Sequence, residues 1–211
     1  MFMRIALLGT GRFATDFAPA LVRAGHDVIF GSRHRREELL AGALVVSTAE
    51  AIARADVVVV ALPGETALAF LPEFEEALHG KVVLDVSNAF TSDGDLRFPN
   101  SSVGEQLQDL LPSSLVVKSL NNMAGYIAGD PSALSETTVF LSGNDERAKR
   151  VVSDLLVSIG WSEAAQIDLG DITTSRAVEH LGLLFWALVR KYGTGEFNYR
   201  VVLADGVAGR L

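Results

Sequence analysis

Residues 4–14 read RIALLGTGRFA. The run Arg4–Leu8 is short and apolar, as a buried strand requires. A glycine turn follows, then a helical stretch to Ala24, with Gly25 as its stop. Gly9, Gly11 and Ala14 fall on the spacing G-x-G-x-x-A, which has a physical purpose between a strand and a helix. Gly9 permits the tight turn, Gly11 lets the backbone approach an anion, and Ala14 keeps helix and strand close. The helix start offers free N–H groups and partial positive charge. Thr10, Arg12 and Phe13 complete the turn. The ligand this implies is a pyrophosphate, and hence a dinucleotide.

Outward from this unit, strands and helices alternate. Strand runs are expected at residues 27–31, 44–46, 56–62 and 81–86. Helices are expected around residues 35–40, from Ser47 or Thr48 to Arg54, and from the Pro63-Gly64 break to about Leu78. Residues 88–101 read as a polar loop. A helix over residues 102–111, the strand Leu115–Lys118, a strand at 137–141, a helix over 146–159 and a strand at 165–169 follow. Repeated βαβ units imply a parallel sheet with helices on both faces, so the expected class is α/β, a doubly wound Rossmann sheet with a short C-terminal helical extension. The division expected is residues 1–168 as the dinucleotide domain and 169–211 as a closing helical segment. Within the latter, one helix over residues 172–192 carries Leu181, Leu184, Leu188 and Val189 on one stripe. Phe185 and Trp186 broaden that stripe, and Leu183 and Ala187 add apolar surface behind it. Such a helix needs cover on more than one side, either from the chain's own core or from a second subunit.

Composition narrows the function. The 211 residues carry 18 Lys and Arg against 26 Asp and Glu, a net charge of −8. That disfavours non-specific binding to nucleic acid or an anionic membrane. Cysteine is absent, which excludes disulfides, thiolate metal sites and cysteine nucleophiles. His26, His34, His79 and His180 show no metal-binding spacing, so no metal is expected. Apolar stretches of about nine residues fall short of a membrane span. With an N-terminus unlike a signal peptide, a cytoplasmic protein is expected. There is no nucleophile elbow, no Walker motif and no convincing carboxylate pair. Hydride transfer needs none of these, because the cofactor carries the chemistry.

The end of the second strand selects the dinucleotide. An acidic residue there would bond a ribose 2′-hydroxyl. The sequence instead has Gly31-Ser32-Arg33, followed by His34, Arg35 and Arg36, with no carboxylate before Glu37. Ser32 can donate to a 2′-phosphate, Arg33 and Arg36 can pair with it, and Thr10 is near enough to add a hydroxyl. NADP(H) is therefore expected over NAD(H). The reactive end should lie where further turns meet beyond the strand ends. These are Ala61-Leu62-Pro63, then Ser87-Asn88-Ala89, and the stretch from Lys118 to Asn122. Asn88, Lys118 and Asn121 are expected to frame the nicotinamide. Each has a plainer reading, as a turn-stabilising amide or a strand-end lysine.

These residues together resemble the NADP oxidoreductases that include the NADPH:coenzyme F420 oxidoreductases. They are also similar to the cytosolic domain of the six-transmembrane metalloreductases. The resemblance runs over nearly the whole chain. It rests on Gly9-Thr10-Gly11 with Ala14, on Gly31-Ser32-Arg33, on Ala61-Leu62-Pro63 and on Val117-Lys118-Ser119-Leu120-Asn121. It also includes the final helix, with Arg176 and Glu179. It implies direct hydride exchange between NADPH and a deazaflavin or flavin ring, in a homodimer whose closing helices help build the site. The sequence departs from the family's pattern at Asn88-Ala89-Phe90 and at residues 122–126, near where the acceptor should bind. Two other readings use the same cofactor motif. One is a non-catalytic NADP(H) sensor or partner protein. The other is a small β-hydroxyacid or imine dehydrogenase-like enzyme, for which about 40 residues after the sheet are few.

Overall fold

The structure is a computed structural model and describes residues 2–33 and 39–204. The first strand, β1 (Arg4–Leu8), leads through the glycine turn into α1 (Arg12–Arg23), and the chain returns as β2 (Asp27–Ser32). The short β3 (Leu39–Leu40) and β4 (Ala43–Ser47) form a hairpin. Its two turn residues, Ala41 and Gly42, have φ of 48° and 86°, as a tight two-residue turn demands. The helix expected at residues 35–40 therefore gives way to strand at Leu39 and Leu40; the rest of it lies outside the described residues.

Next come α2 (Thr48–Arg54) and β5 (Val57–Val60). Ser47 caps α2 by accepting the Glu50 N–H at 3.2 Å. The single helix expected after Pro63 is broken into α3 (Gly64–Phe70), a 3₁₀ turn over Leu71–Phe74 and α4 (Glu75–Leu78). Pro72 lacks the N–H that a continuous helix would need. Then follow β6 (Val82–Asp85), α5 (Val103–Leu110), β7 (Leu115–Lys118) and α6 (Gly125–Gly129). Nothing in the hydrophobic pattern announced α6. It lies against α1 because its glycines permit it: a Cβ at Gly125 would stand 2.5 Å from Phe13 O, and one at Gly129 would stand 2.9 Å from Ala20 Cβ. The chain closes with β8 (Val139–Gly143), α7 (Glu146–Ser158), β9 (Gln166–Asp168) and α8 (Ser175–Tyr192).

Among the described residues the sheet runs β3-β4-β2-β1-β5-β6-β7-β8-β9. Neighbours are parallel except at β3–β4 and β7–β8. Side chains alternate between two cores. Ile5, Leu7, Val57 and Val59 join Phe17, Leu21 and Trp161 on one face. Ala6, Leu8, Val58 and Val60 join Ile52, Leu71 and Leu107 on the other. Burial on both faces explains the continuous apolar runs of the central strands. The chain leaves β1 toward β2 on one side and toward β5 on the other. That reversal opens the crevice beyond the strand ends.

The closing helix differs in detail from its expected stripe. Ser175, Val178, Glu179 and Gly182 form its buried line, whereas Leu184 is 46% exposed. After Gly193, which ends α8 with φ 72°, the chain is not helical. It runs on as a strap held by the Thr138 N–H donating to Tyr199 O at 2.9 Å and by Asn198 donating to Thr138 O at 2.9 Å.

Candidate cofactor and acceptor site

The turn after β1 behaves as its glycines require. Gly9 has φ 110°, and a Cβ there would stand 2.7 Å from Ala61 O, so neither its conformation nor its surroundings admit a side chain. Gly11 has an ordinary φ of −77°, and a Cβ there would meet nothing within 4 Å. Packing does not explain a glycine at that position. The space beyond it belongs to a cavity of about 560 Å³ that Gly11, Arg12 and Phe13 border. The first intrahelical bond of α1 runs from Thr15 N–H to Gly11 O at 3.0 Å. By helix geometry, the N–H groups of Arg12, Phe13 and Ala14 are left for another acceptor. The first turn of α1 carries no acidic side chain. A pyrophosphate fits this cradle.

A second, smaller cavity of about 160 Å³ lies on the β2 side. Thr10, Ser32 and Arg33 border it, with Thr48, Leu62, Thr66 and Phe70 opposite. Among the described residues this lining holds a serine, a guanidinium and no carboxylate, which suits a phosphate and lacks the acidic partner that a free ribose 2′-hydroxyl usually takes. Thr48, Thr66 and Phe70 were not foreseen, because they reach this cavity from α2 and α3. Arg36, expected here as well, lies outside the described residues.

The large cavity continues past Ala61, Leu62 and Pro63 to Val86, Ser87, Asn88 and Asn121. Its far wall is apolar and aromatic: Phe90, Met123, Tyr126, Phe185 and Trp186. Ala14, on the buried face of α1, packs against the core instead of lining the cavity. Asn88 and Asn121 do meet at the cavity, but their amides serve the wall itself. Asn88 Nδ2 donates to Asn121 O at 2.6 Å, and Asn121 Nδ2 donates to Asn88 Oδ1 at 3.0 Å and to Val178 O at 3.2 Å. Leu120, directly before Asn121, holds φ 60° while fully buried. This rarely populated conformation is one the surrounding packing must impose.

Lys118 departs from expectation. It does not frame the cavity; it is fully buried behind the wall. Its ammonium donates to Asp85 Oδ2 at 2.9 Å, to Glu179 Oε1 at 2.7 Å and to Ser87 O at 2.5 Å. Burial alone would push the lysine's pKa down; the two carboxylates outweigh it, so the pKa is raised and the charge is held. Glu179 also accepts the N–H groups of Val103 and Gly104, at 3.0 and 3.3 Å, at the start of α5. Its negative charge thereby meets a helix N-terminus. Asp85 accepts from Ser87 N–H and Oγ at 2.9 and 2.6 Å. Every strong donor and acceptor in this cluster is satisfied, which a buried charge requires. The sequence did carry a signal. An aspartate and a lysine ending buried strands, and a glutamate on an apolar helix, need partners.

The α8 N-terminus is tied down next to this cluster. Ser102 and Ser175 hydroxyls lie 2.6 Å apart, and Arg176 forks onto Glu105 at 2.9 and 2.5 Å. Burial would raise the Glu105 carboxyl; the guanidinium and the Ser102 hydroxyl outweigh it, so its pKa is held low.

Comparison with known proteins agrees with this geometry. The family profile described as NADP oxidoreductase, coenzyme F420-dependent, matches residues 4–89. The F420-dependent NADP reductase of Methanocaldococcus jannaschii is 32% identical over 92% of this chain and 96% of its own. The chain belongs to the coenzyme F420-dependent NADP oxidoreductase family. A putative F420-dependent NADP reductase from Arthrobacter sp. FB24 superposes with a TM-score of 0.86 at 34% identity. That match covers 95% of this chain and all of the other. Human metalloreductase STEAP2 is 28% identical over 88% of this chain but only 37% of its own length. The chain therefore matches a minor part of the metalloreductase. Membership makes the chain an NADP-dependent oxidoreductase, and among the described residues no helix is long and apolar enough to cross a membrane.

Proposed function

We propose that this chain exchanges a hydride between NADP(H) and a planar conjugated acceptor, a deazaflavin such as coenzyme F420 or a flavin. The observation that carries the reading is one continuous cavity. It begins at the open space above Gly11 and ends at the aromatic wall of Phe90, Phe185 and Trp186. In this reading the α1 N-terminus, with Arg12, holds the pyrophosphate, and Thr10, Ser32 and Arg33 hold the 2′-phosphate. Ala61, Leu62 and Pro63 pass the chain of the cofactor toward Ser87, Asn88 and Asn121, beside which the nicotinamide rests. When bound, NADPH supplies the hydride.

The protein's work is then to position and to exclude water. Asn88 and Asn121, locked to each other and to α8, present a fixed wall. Phe185 and Trp186, at 5.4 Å between ring centroids, offer an apolar surface on which a flat ring system can stack. Arg12 pairs with Asp16 at 3.5 Å, and among the described residues the cavity lining offers no histidine or cysteine; Tyr126 is its phenol. An acceptor that delocalises charge over its own rings suits such a lining better than an isolated carbonyl does.

We propose further that residues 169–211 form a closing segment and that two copies of the chain associate through α8. Leu183 and Leu184 are exposed on that helix beside the cavity, and a second copy would cover them. The test is NADPH oxidation with a panel of deazaflavin, FMN, FAD and a simple ketone. Turnover with a deazaflavin or flavin and none with the ketone is expected. Tight NADPH binding with no turnover on any acceptor would replace this reading with that of a cofactor sensor.

A further inference from the structure

The cluster behind the cavity wall has a formal charge sum that does not cancel. Asp85 and Glu179 contribute two negative charges and Lys118 one positive, and all three side chains are buried. The cluster touches the wall directly. Lys118 donates to the carbonyl of Ser87, and Asp85 accepts from that residue's N–H and hydroxyl. Glu179 lies one residue from Val178, whose carbonyl accepts from Asn121. Ser87, Asn88 and Asn121 are the wall. Water screens this charge only weakly, because Lys118 and Asp85 are fully buried and the Glu179 side chain is 4% exposed.

The nicotinamide ring is neutral in NADPH and positive in NADP⁺. The adenosine, both ribose units and all the phosphates are the same in the two forms. A fixed negative charge behind the ring therefore discriminates between the forms through the ring alone. It also favours the transition state, in which positive charge develops on the ring as hydride departs.

We infer that Asp85, Lys118 and Glu179 are positioning residues that leave one net negative charge behind the nicotinamide and so bias the site toward the oxidised cofactor. The inference rests on the NADP(H) reading above. It adds to that reading a role for residues that touch neither cofactor nor acceptor. The ammonium prevents two carboxylates from repelling one another in a dry site and ties both to the wall. The α5 N-terminus stabilises Glu179 from the other side.

Dissociation constants for NADP⁺ and NADPH, measured on the whole protein, test this. The wild type should bind NADP⁺ more tightly than NADPH. Glu179→Gln keeps the side chain's shape and reduces the sum to zero, as does Asp85→Asn at the end of β6. Each should shift the ratio of the two constants toward NADPH by about tenfold, the effect of one unit charge about 12 Å away at an effective dielectric constant of about 20. For a two-electron couple that ratio corresponds to about 30 mV in the bound potential. Glu179→Asp retains the charge and should retain the wild-type ratio even where both affinities fall. A purely structural role would weaken both forms alike in all three variants and leave the ratio constant, which overturns the inference. Tighter NADPH than NADP⁺ binding in the wild type overturns it without any variant. Absence of binding by either form would instead refute the NADP(H) reading itself.

Discussion

The two glycines of the phosphate turn make opposite demands, and a matched pair of alanine substitutions separates them. In Gly9→Ala the new methyl group would stand 2.7 Å from Ala61 O, at a φ of 110°. The strain of that conformation costs about 1–3 kcal/mol before the contact is counted. In a domain of this size the expected loss is about 5–10 °C in Tm. In Gly11→Ala the methyl group meets nothing within 4 Å, and its φ of −77° suits any residue. The stability change should stay within about 1 kcal/mol. That methyl group does occupy the cavity, however, and holds a pyrophosphate off the N–H groups of Arg12, Phe13 and Ala14. Losing one or two charge-assisted bonds costs about 3 kcal/mol, or about a hundredfold in affinity. Thermal unfolding reads the first quantity. Quenching of Trp186, which lines the cavity, on NADPH titration reads the second. Gly11→Ala binding NADPH within threefold of wild type would refute the argument that the open space above Gly11 is the pyrophosphate's.

Three other outcomes are expected. Arg33→Ala should lower the preference for NADPH over NADH by about tenfold or more, with NADH affinity little changed; equal losses for both cofactors would move the 2′-phosphate elsewhere. Leu184→Asp, on the exposed face of α8, should convert a dimer to a monomer in sedimentation; an unchanged assembly would place the interface off this helix. His26 should make stability fall in mild acid. Burial lowers its pKa. Its Nδ1 accepts the Met3 N–H at 3.2 Å, and its Nε2 lies 2.8 Å from the Ser158 hydroxyl, which itself donates to Leu155 O. The folded state thus holds the neutral ring, the unfolded state binds the proton first, and stability is lost as pH falls below the unfolded value near 6.5. Denaturant midpoints for wild type and His26→Asn at pH 7.5 and 5.5 test this, since the variant should lack that part of the slope.

Much of the fold could be read from local pattern. The strands Arg4–Leu8 and Leu115–Lys118 fall where the sequence places them. Between the terminal Arg4 and Lys118 their side chains sit against both faces of the sheet, so those stretches stay apolar. The Ser47 and Ser102 caps mark helix starts within a residue. The misses have physical causes of another kind. α6 is five residues of mostly small side chains; it owes its place to close contact with α1, which no periodicity records. The stripe on α8 was drawn by hydrophobicity and took in Leu184. The buried line instead runs through Ser175, Glu179 and Gly182, two polar residues and one glycine. They are inside because partners from α5, β7 and the loop at Phe90 meet them there: a Cβ on Gly182 would stand 2.7 Å from the Phe90 ring. Likewise the strand end at Lys118 was legible, but the direction of its side chain was not. Direction depended on two carboxylates 33 and 61 residues away in sequence.

The same distinction explains why the cofactor end was legible and the acceptor end was not. A phosphate is bound by backbone N–H groups, and the backbone displays them only where glycine and a helix start lie within a few residues of each other. Recognition of that kind is written locally, in residues 9–14. In the proposed function the acceptor meets side chains, and those come from Phe90, Met123, Tyr126 and Phe185, four separate loops or helices that the sheet gathers at one edge. A substitution in any of them alters the slot without disturbing the turn that holds the phosphates. The departures expected at residues 88–90 and 122–126 include Phe90, Met123 and Tyr126 of this lining and none of the turn. Relatives that share the phosphate turn can therefore diverge in what they reduce. In this chain, aromatic residues from the loop at Phe90 and from α8 face a cavity whose two amides, Asn88 and Asn121, are bonded to one another. If the proposed function holds, selectivity there comes from shape and stacking, so an acceptor must match the width of the slot before its redox chemistry matters.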